Sequence, residues 1–217
     1  MSGEETGERE ATYTVLVVDD DQMIADLYGM IIERLGHRAV IAYSGEECLR
    51  LLEREDPSLI LLDILMEPQD GWMTLTEIRG GRGMQRVPIV MVTGKQLSPD
   101  EVRKYGMLID GYVMKPFEME KLAEVLDLVA GHQEERNAAY DQAIAAGADQ
   151  ETAGRFAELT VHLPVLHDLL DLLTRIQVSP QSEMTAGDLE SVRRYISERE
   201  EERDALAQQI GVAGPGD

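Results

Sequence analysis

Asp63 closes the run Ser58-Leu59-Ile60-Leu61-Leu62, which is mostly large and apolar with no helical spacing. Such a run suits a strand buried on both faces of a parallel sheet. A carboxylate directly after it stands at the carboxyl end of a central strand, the edge where open α/β sheets bind their ligands. Asp19, Asp20 and Asp21 follow the β-rich run from Tyr13 to Val18 in the same way, Thr93 follows Val87 to Val92, and Lys115 follows Gly111 to Met114. Adjacent carboxylates at a strand end repel one another unless something cationic sits among them. A rim bearing Asp19, Asp20 and Asp63 matches a hard divalent cation such as magnesium, which is held by few protein oxygens and keeps several waters. Beside it, the Lys115 ammonium and the Thr93 hydroxyl could bind phosphoryl oxygens, making the Asp63 carboxylate an acceptor for phosphate. The plainer readings, that Asp63 only caps the next helix and that the acidic triplet is a solvated face, leave unexplained why every polar signature residue directly follows a strand.

The intervening segments supply the elements these positions require. Met23 to Leu35 carry Ile24, Leu27, Ile31 and Leu35 at helical spacing and end at Gly36. His37 to Tyr43 read as a second strand, and Ser44 with Glu47 forms a capping box for a helix reaching Glu55. Trp72 to Arg79 form a short helix before a loose connection containing Gly80, Gly81 and Gly83; Ser98 and Pro99 open a helix to about Tyr105; Phe117 to Val129 form another. Five strands alternating with five helices indicate a parallel sheet covered on both faces. The methionines at 23, 30, 66, 84, 91 and 114 read as core filling.

Composition bounds the partners. Twenty Lys and Arg against 42 Asp and Glu leave a net charge of -22, which phosphate backbones and anionic membrane surfaces repel, so neither nucleic acid nor membrane is expected as a direct partner. Cys48 is the only cysteine, which excludes an internal disulfide or a cysteine-based zinc site. With no signal-like apolar segment and no apolar run of transmembrane length, a cytoplasmic protein is expected.

In order along the chain, the acidic pair in VVDDD, the acceptor in LLDILM, the Asp70-Gly71 turn, Thr93 and the string GYVMKPF resemble the receiver domain of two-component response regulators over roughly residues 13–130. The resemblance implies a flavodoxin-like sheet in strand order 2-1-3-4-5, and a sensor histidine kinase whose phosphohistidine donates to Asp63. It implies magnesium on Asp20, Asp63 and the Leu65 carbonyl, with Asp19 helping through water. Thr93 would swing toward the phosphate with Tyr112 as the aromatic switch, Lys115 would complete the site, and Lys115-Pro116 would be cis. The chain would then be a signalling phosphoacceptor, catalysing only its own phosphorylation and dephosphorylation. Glu67 stands where most receivers have proline, and the form MEPxDGW resembles archaeal receivers. Leu65 cannot orient an attacking water, which points to a long-lived phosphoaspartate.

Residues 1–12 are expected to be a disordered lead-in and 131–217 a helical extension, hairpin or coiled-coil-like. The extension has seven Arg, no Lys and seventeen acids, unlike a DNA-binding output domain. Leu166, Leu169, Leu173 and Ile176 form one helical stripe; Leu189, Val192, Ile196, Leu206 and Ile210 form a second, with Arg199 and Arg203 on its seam and Glu198 and Glu202 as their expected partners. Pro164 should kink or restart its helix. His162 and His167 read as satisfied or solvent-facing histidines. An output protein bound through these helices and a homodimer are expected. The competing readings are a haloacid-dehalogenase-like magnesium phosphatase, suggested by the DxD spacing of Asp19 and Asp21, and a non-phosphorylated dimerisation scaffold.

Overall fold

The structure is a computed structural model and describes residues 13–81, 87–117, 119–179 and 183–212. The acidic lead-in, Gly83 and Met84 lie outside the described residues. Five parallel strands, β1 (Thr14–Val18), β2 (Arg38–Ala42), β3 (Leu59–Leu62), β4 (Ile89–Thr93) and β5 (Gly111–Met114), form one sheet in the order β2-β1-β3-β4-β5. This is the doubly wound arrangement expected. Strand side chains alternate between two cores, as the pleat requires. Val15, Val17, Leu59, Leu61, Val90 and Val92 face α1 (Gln22–Arg34) and the first half of α5 (Met119–Ala145). Leu16, Val18, Ile60, Leu62, Ile89 and Met91 face α2 (Gly45–Leu52), α3 (Gly71–Gly80) and α4 (Pro99–Tyr105).

Several local details depart from the spacing argument. In α1 the buried face is Ala25, Tyr28, Gly29 and Ile32, while Leu27 is exposed. A Cβ on Gly29 would stand 2.8 Å from the Ile41 side chain, so this glycine lets the helix close onto β2 and sets which face turns inward. That rotation leaves Met23 81% and Met30 61% exposed, so these two methionines are not core filling, whereas Met66 and Met91 are. Ser44 does cap α2, but the Glu47 carboxylate reaches back to the Tyr43 N–H, at 2.8 Å, one residue before the cap.

The helix expected to end near Val129 continues without a break to Ala145. It returns after Gly147 as α6 (Gln150–Gln177), capped by Asp149, and a third helix, α7 (Ala186–Ile210), is capped by Thr185 and Asp188. Pro164 lies inside α6 and does not interrupt it. Proline removes one amide donor, but Pro164 is exposed while Leu163, Val165 and Leu166 beside it are buried, so packing holds the helix. Of the first leucine stripe, Leu166, Leu169 and Leu173 are buried and Ile176 is partly so.

The three long helices are not a separate bundle. Leu163, Leu166, Leu169 and Leu173 of α6 and Leu189, Val192 and Ile196 of α7 join the same core as Val102 of α4 and Ile109 before β5. Each such side chain contributes on the order of 2 kcal/mol when buried. At the far end Ala139, Ala143, Ala153, Phe156, Ala157 and Ala207 make a small core of their own. There Arg155 of α6 forms a two-pronged bridge to Glu202 of α7, at 2.7 and 2.9 Å. Glu202 therefore serves Arg155 first and Arg199 only at 3.7 Å; Arg199 also lies over the Tyr195 ring, and Arg203 pairs with Asp204. His167 binds the Leu163 carbonyl through Nδ1 and stands half exposed, 3.3 Å from Glu200, a satisfied surface histidine.

Candidate functional site

The carboxyl ends of β1, β3, β4 and β5 converge as the sheet order demands. Asp19 ends β1, its amide donating to Ala42 O at 3.1 Å, and it is 2% exposed. Asp63 ends β3, its amide donating to Val18 O at 2.9 Å. One Asp63 carboxylate oxygen accepts from the Leu65 amide at 3.1 Å and the other from Lys115 Nζ at 2.7 Å. Lys115 bonds Asp19 as well, so one ammonium bridges two buried acids from strands that are neighbours in the sheet. Asp20 is exposed and accepts from the Glu67 amide at 3.0 Å, which ties the loop after β3 to the end of β1. Asp21 does not join them: its carboxylate caps α1, accepting from Met23 N and Ile24 N. The DxD spacing of Asp19 and Asp21 therefore has no expression at the site, and the phosphatase reading loses the pair that suggested it.

The loop after β3 is held by a close approach. A Cβ on Gly71 would lie 2.0 Å from the Asp63 carbonyl oxygen, which no side chain tolerates, while Asp70 caps α3 by accepting from Met73 N at 2.8 Å. The Glu67-Pro68 and Lys115-Pro116 peptides are both cis. The Leu65 side chain is 57% exposed at the rim.

Carboxylate oxygens of Asp19, Asp20 and Asp63 lie within 4.8 Å of one another. An all-oxygen, all-anionic donor set of that size suits a hard divalent cation. Burial pushes the Asp19 carboxyl above the usual carboxylate range and the Asp63 charge adds to this, against the hydrogen bond and charge of Lys115. Burial alone would depress Lys115, but its bonds to Asp19 and Asp63 outweigh that and hold the ammonium charged. Cys48, fully buried away from this rim, has its thiol pushed up to about 12 by burial and has no reactive character.

Thr93 ends β4 fully buried, and its hydroxyl accepts from the Lys95 amide at 3.2 Å. The Tyr112 hydroxyl, half-buried on β5, donates to the Lys95 carbonyl. Lys95 thus touches both residues of the expected switch through its backbone amide and carbonyl. Its ammonium pairs with Glu101 of α4, whose carboxylate also accepts from Trp72 Nε1 at 2.7 Å, from Ser98 N at 3.0 Å and from Ser98 Oγ at 2.8 Å. Burial would raise Glu101, and these donors together bring it below the ordinary range. Trp72 stacks flat on Tyr105, centroids 4.4 Å apart. Glu101 went unremarked in the sequence reading, although its place three residues after Ser98 makes it the partner in a capping box.

A second buried polar cluster lies where the receiver meets the tail. Asp110, 1% exposed, accepts from Arg79 of α3 at 3.0 Å, from Arg136 of α5 at 2.7 Å and from the Ile89 amide at 2.9 Å, with His162 of α6 3.9 Å away. Nothing in the local sequence around Asp110 marks it, because its partners lie far away along the chain.

A doubly wound sheet with an acidic, lysine-bridged pocket at the strand ends, fitted to magnesium and to phosphorylation, is the make-up of a CheY-like signalling domain. Residues 15–127 match the model of the response regulator receiver domain, and the chain belongs to that family. Among solved structures, the N-terminal domain of a response regulator receiver protein from Methanoculleus marisnigri is 44% identical over 54% of this chain and 95% of its own, with a TM-score of 0.47. A CheY-like receiver domain protein from Methanospirillum hungatei is 30% identical over 57% and 98%, TM-score 0.52. Chemotaxis protein CheY4 of Vibrio cholerae is 26% identical over 55% and 99%, TM-score 0.52. Among the described residues, no helix is long and apolar enough to cross a membrane.

Proposed function

We propose that Asp63 accepts a phosphoryl group from the phosphohistidine of a sensor histidine kinase. The observation that carries this reading is the single Lys115 ammonium bonded to both Asp63 and Asp19 at the strand-end rim. In the transfer an Asp63 oxygen forms the new O–P bond as the N–P bond of the phosphohistidine breaks, and the imidazole keeps the bond's electron pair. Lys115 and Thr93 stabilise the phosphoryl oxygens by charge and hydrogen bonding. Asp20, Asp63 and the Leu65 carbonyl would hold magnesium, with Asp19 acting through water; when bound, the ion neutralises charge that would otherwise oppose the approach of phosphate to three carboxylates. The exposed apolar side chains Met23, Leu27 and Met30 on α1, which begins just beyond Asp20, support this face as one that a protein donor covers.

Our reading divides the chain into a receiver at 13–130 and a helical extension at 131–217 that answers to a protein partner in the cytoplasm rather than to DNA. The acidic tail supports that choice, since seventeen acids against seven Arg, within a chain of net charge -22, oppose a phosphate backbone. Self-association through the tail completes the reading. The chain catalyses only its own phosphorylation and dephosphorylation. Incubation with magnesium and acetyl phosphate should add one phosphoryl group to the wild type, read by intact mass, and none to Asp63→Asn; equal labelling of the variant sinks the assignment.

A further inference from the structure

The buried Asp110 cluster borders a cavity of about 360 Å³ between the receiver and the tail. Arg79 of α3 and Arg136 of α5 form one wall, Met107 and Leu108 of the turn after α4 another, and Gly154, Glu158 and His162 of α6 the third. Arg79 and Arg136 share the Asp110 carboxylate, one on each oxygen, and Arg79 also donates to the Leu108 and Val87 carbonyls. Both Asp110 oxygens are thereby engaged, and the cluster turns its cationic members toward the cavity. Glu158 is paired with Arg155 at 2.9 Å.

Two features of α6 at this cavity are not explained by packing. His162 is 6% exposed, and its Nδ1 lies 2.9 Å from the Glu158 carbonyl, which can only accept, so Nδ1 carries the proton. Burial holds the ring below its ordinary range and hence neutral, against the opposing charge of Asp110, which leaves Nε2 an acceptor on the cavity wall. Among the described residues Nε2 has no hydrogen-bond partner; Asp110 Oδ1, 3.9 Å away, is out of range and is itself an acceptor. Gly154 is the second feature. An interior glycine weakens a helix relative to alanine, yet a Cβ at this position would meet nothing within 4 Å. No close approach requires the glycine, and what its missing side chain leaves is room in the cavity.

We propose that this cavity is a binding site for a short organic monoanion that carries a hydrogen-bond donor next to its charge, the chemistry of an α-hydroxycarboxylate. The anion faces the guanidinium groups of Arg79 and Arg136, the hydroxyl donates to His162 Nε2, and the short carbon frame lies against Met107 and Leu108. The Glu158 carboxylate on the α6 wall repels a second negative charge, which selects against dianions. The site stands apart from the strand-end rim and does not depend on the role of Asp63. Its walls come from receiver and tail together, so a ligand held there binds the docked chain and stabilises it by mass action.

The test titrates the full-length protein by calorimetry with lactate, with propionate, which lacks the hydroxyl, and with propylene glycol, which lacks the charge. Lactate should bind, propionate about fivefold more weakly, and the glycol about tenfold or more weakly. In histidine nitrogen NMR, lactate should shift Nε2 of His162 and leave His37 and His167 in place. Gly154→Leu, whose side chain enters open space, should remain folded by urea titration and bind lactate about tenfold or more weakly than wild type. His162→Phe should bring lactate level with propionate. Equal affinity of the wild type for lactate and propionate, an unchanged lactate affinity in folded Gly154→Leu, a His162 Nε2 resonance that lactate does not move, or no binding of lactate to the wild type each overturns the site and leaves the acceptor reading standing.

Discussion

Gly71 shows how much of the site depends on one missing atom. The turn after β3 brings Gly71 under the Asp63 carbonyl, and its amide donates to Ile64 O at 3.0 Å, so the loop that carries Leu65 and Glu67 is folded back on the strand end. Gly71→Ala forces a contact of 2.0 Å with backbone that has no rotamer to yield. The expected outcome is a loss of roughly 3 kcal/mol in urea unfolding, together with failure to label Asp63 with acetyl phosphate under conditions where the variant is still folded. The acidic triplet shows the reach and the limit of reading by residue type. Asp19 and Asp63 were legible because each directly follows a run of buried strand residues. The division of labour within the triplet was not legible: one acid goes to the lysine, one to the Glu67 amide and one to a helix cap, and only the direction each side chain takes decides this.

At the scale of elements, the strands and helix caps of the receiver were readable because each is specified within a few residues. Pro99 at the start of α4 and Ser44 at the start of α2 are examples. The continuation of α5 was not, since Gly131 and the polar run after it look like an end; the helix persists because His132, Ala139 and Ala143 are buried against neighbouring elements. That burial has a pH consequence. Burial is the main cause holding both His132 and His162 below their ordinary value of 6.5, with the charges of Asp110, Glu135 and Glu158 opposing it and Arg136 reinforcing it. Below 6.5 the unfolded chain binds protons that the folded chain refuses, so stability is lost as pH falls from 6.5 through the depressed folded values. Asp19, raised by burial, works in the opposite sense, so the comparison must be made between variants. His132→Leu, which also removes the unpartnered buried Nδ1, should raise the urea midpoint and flatten its decline between about pH 7.5 and 5.5. A decline identical to that of wild type counts against the assignment.

For the whole molecule, the tail changes what the receiver presents. Two leucine-rich stripes at helical spacing announced helix packing, but a stripe does not say what it packs on, and here a large part of both is spent on α4 and the turn after it. Ending the chain at Gly131 strips α6, α7 and the last turns of α5, which bares Val102, Gly106 and Ile109 on one face. Such a contiguous apolar patch drives association. Light scattering should find the shortened chain growing in mass with concentration beyond the fixed assembly that the full-length protein forms; a shortened chain that stays fully soluble at constant mass would show that the tail covers nothing of consequence.

Because α5 places Val129 in the sheet core, His132 and Arg136 at the buried Asp110 cluster, and Ala139 and Ala143 in the distal core without a break, it also measures distance. One residue inserted after Val129 would turn everything downstream by about 100° and advance it by about 1.5 Å. The leucines of α6 would then meet the wrong side of α4, and Arg136 would leave Asp110. Most loops between a switch and its appendage can drift in length over evolutionary time. This junction is a rigid ruler, so the count of residues between Val129 and Ala139 sets the docking of the tail even at the positions whose side chains are exposed.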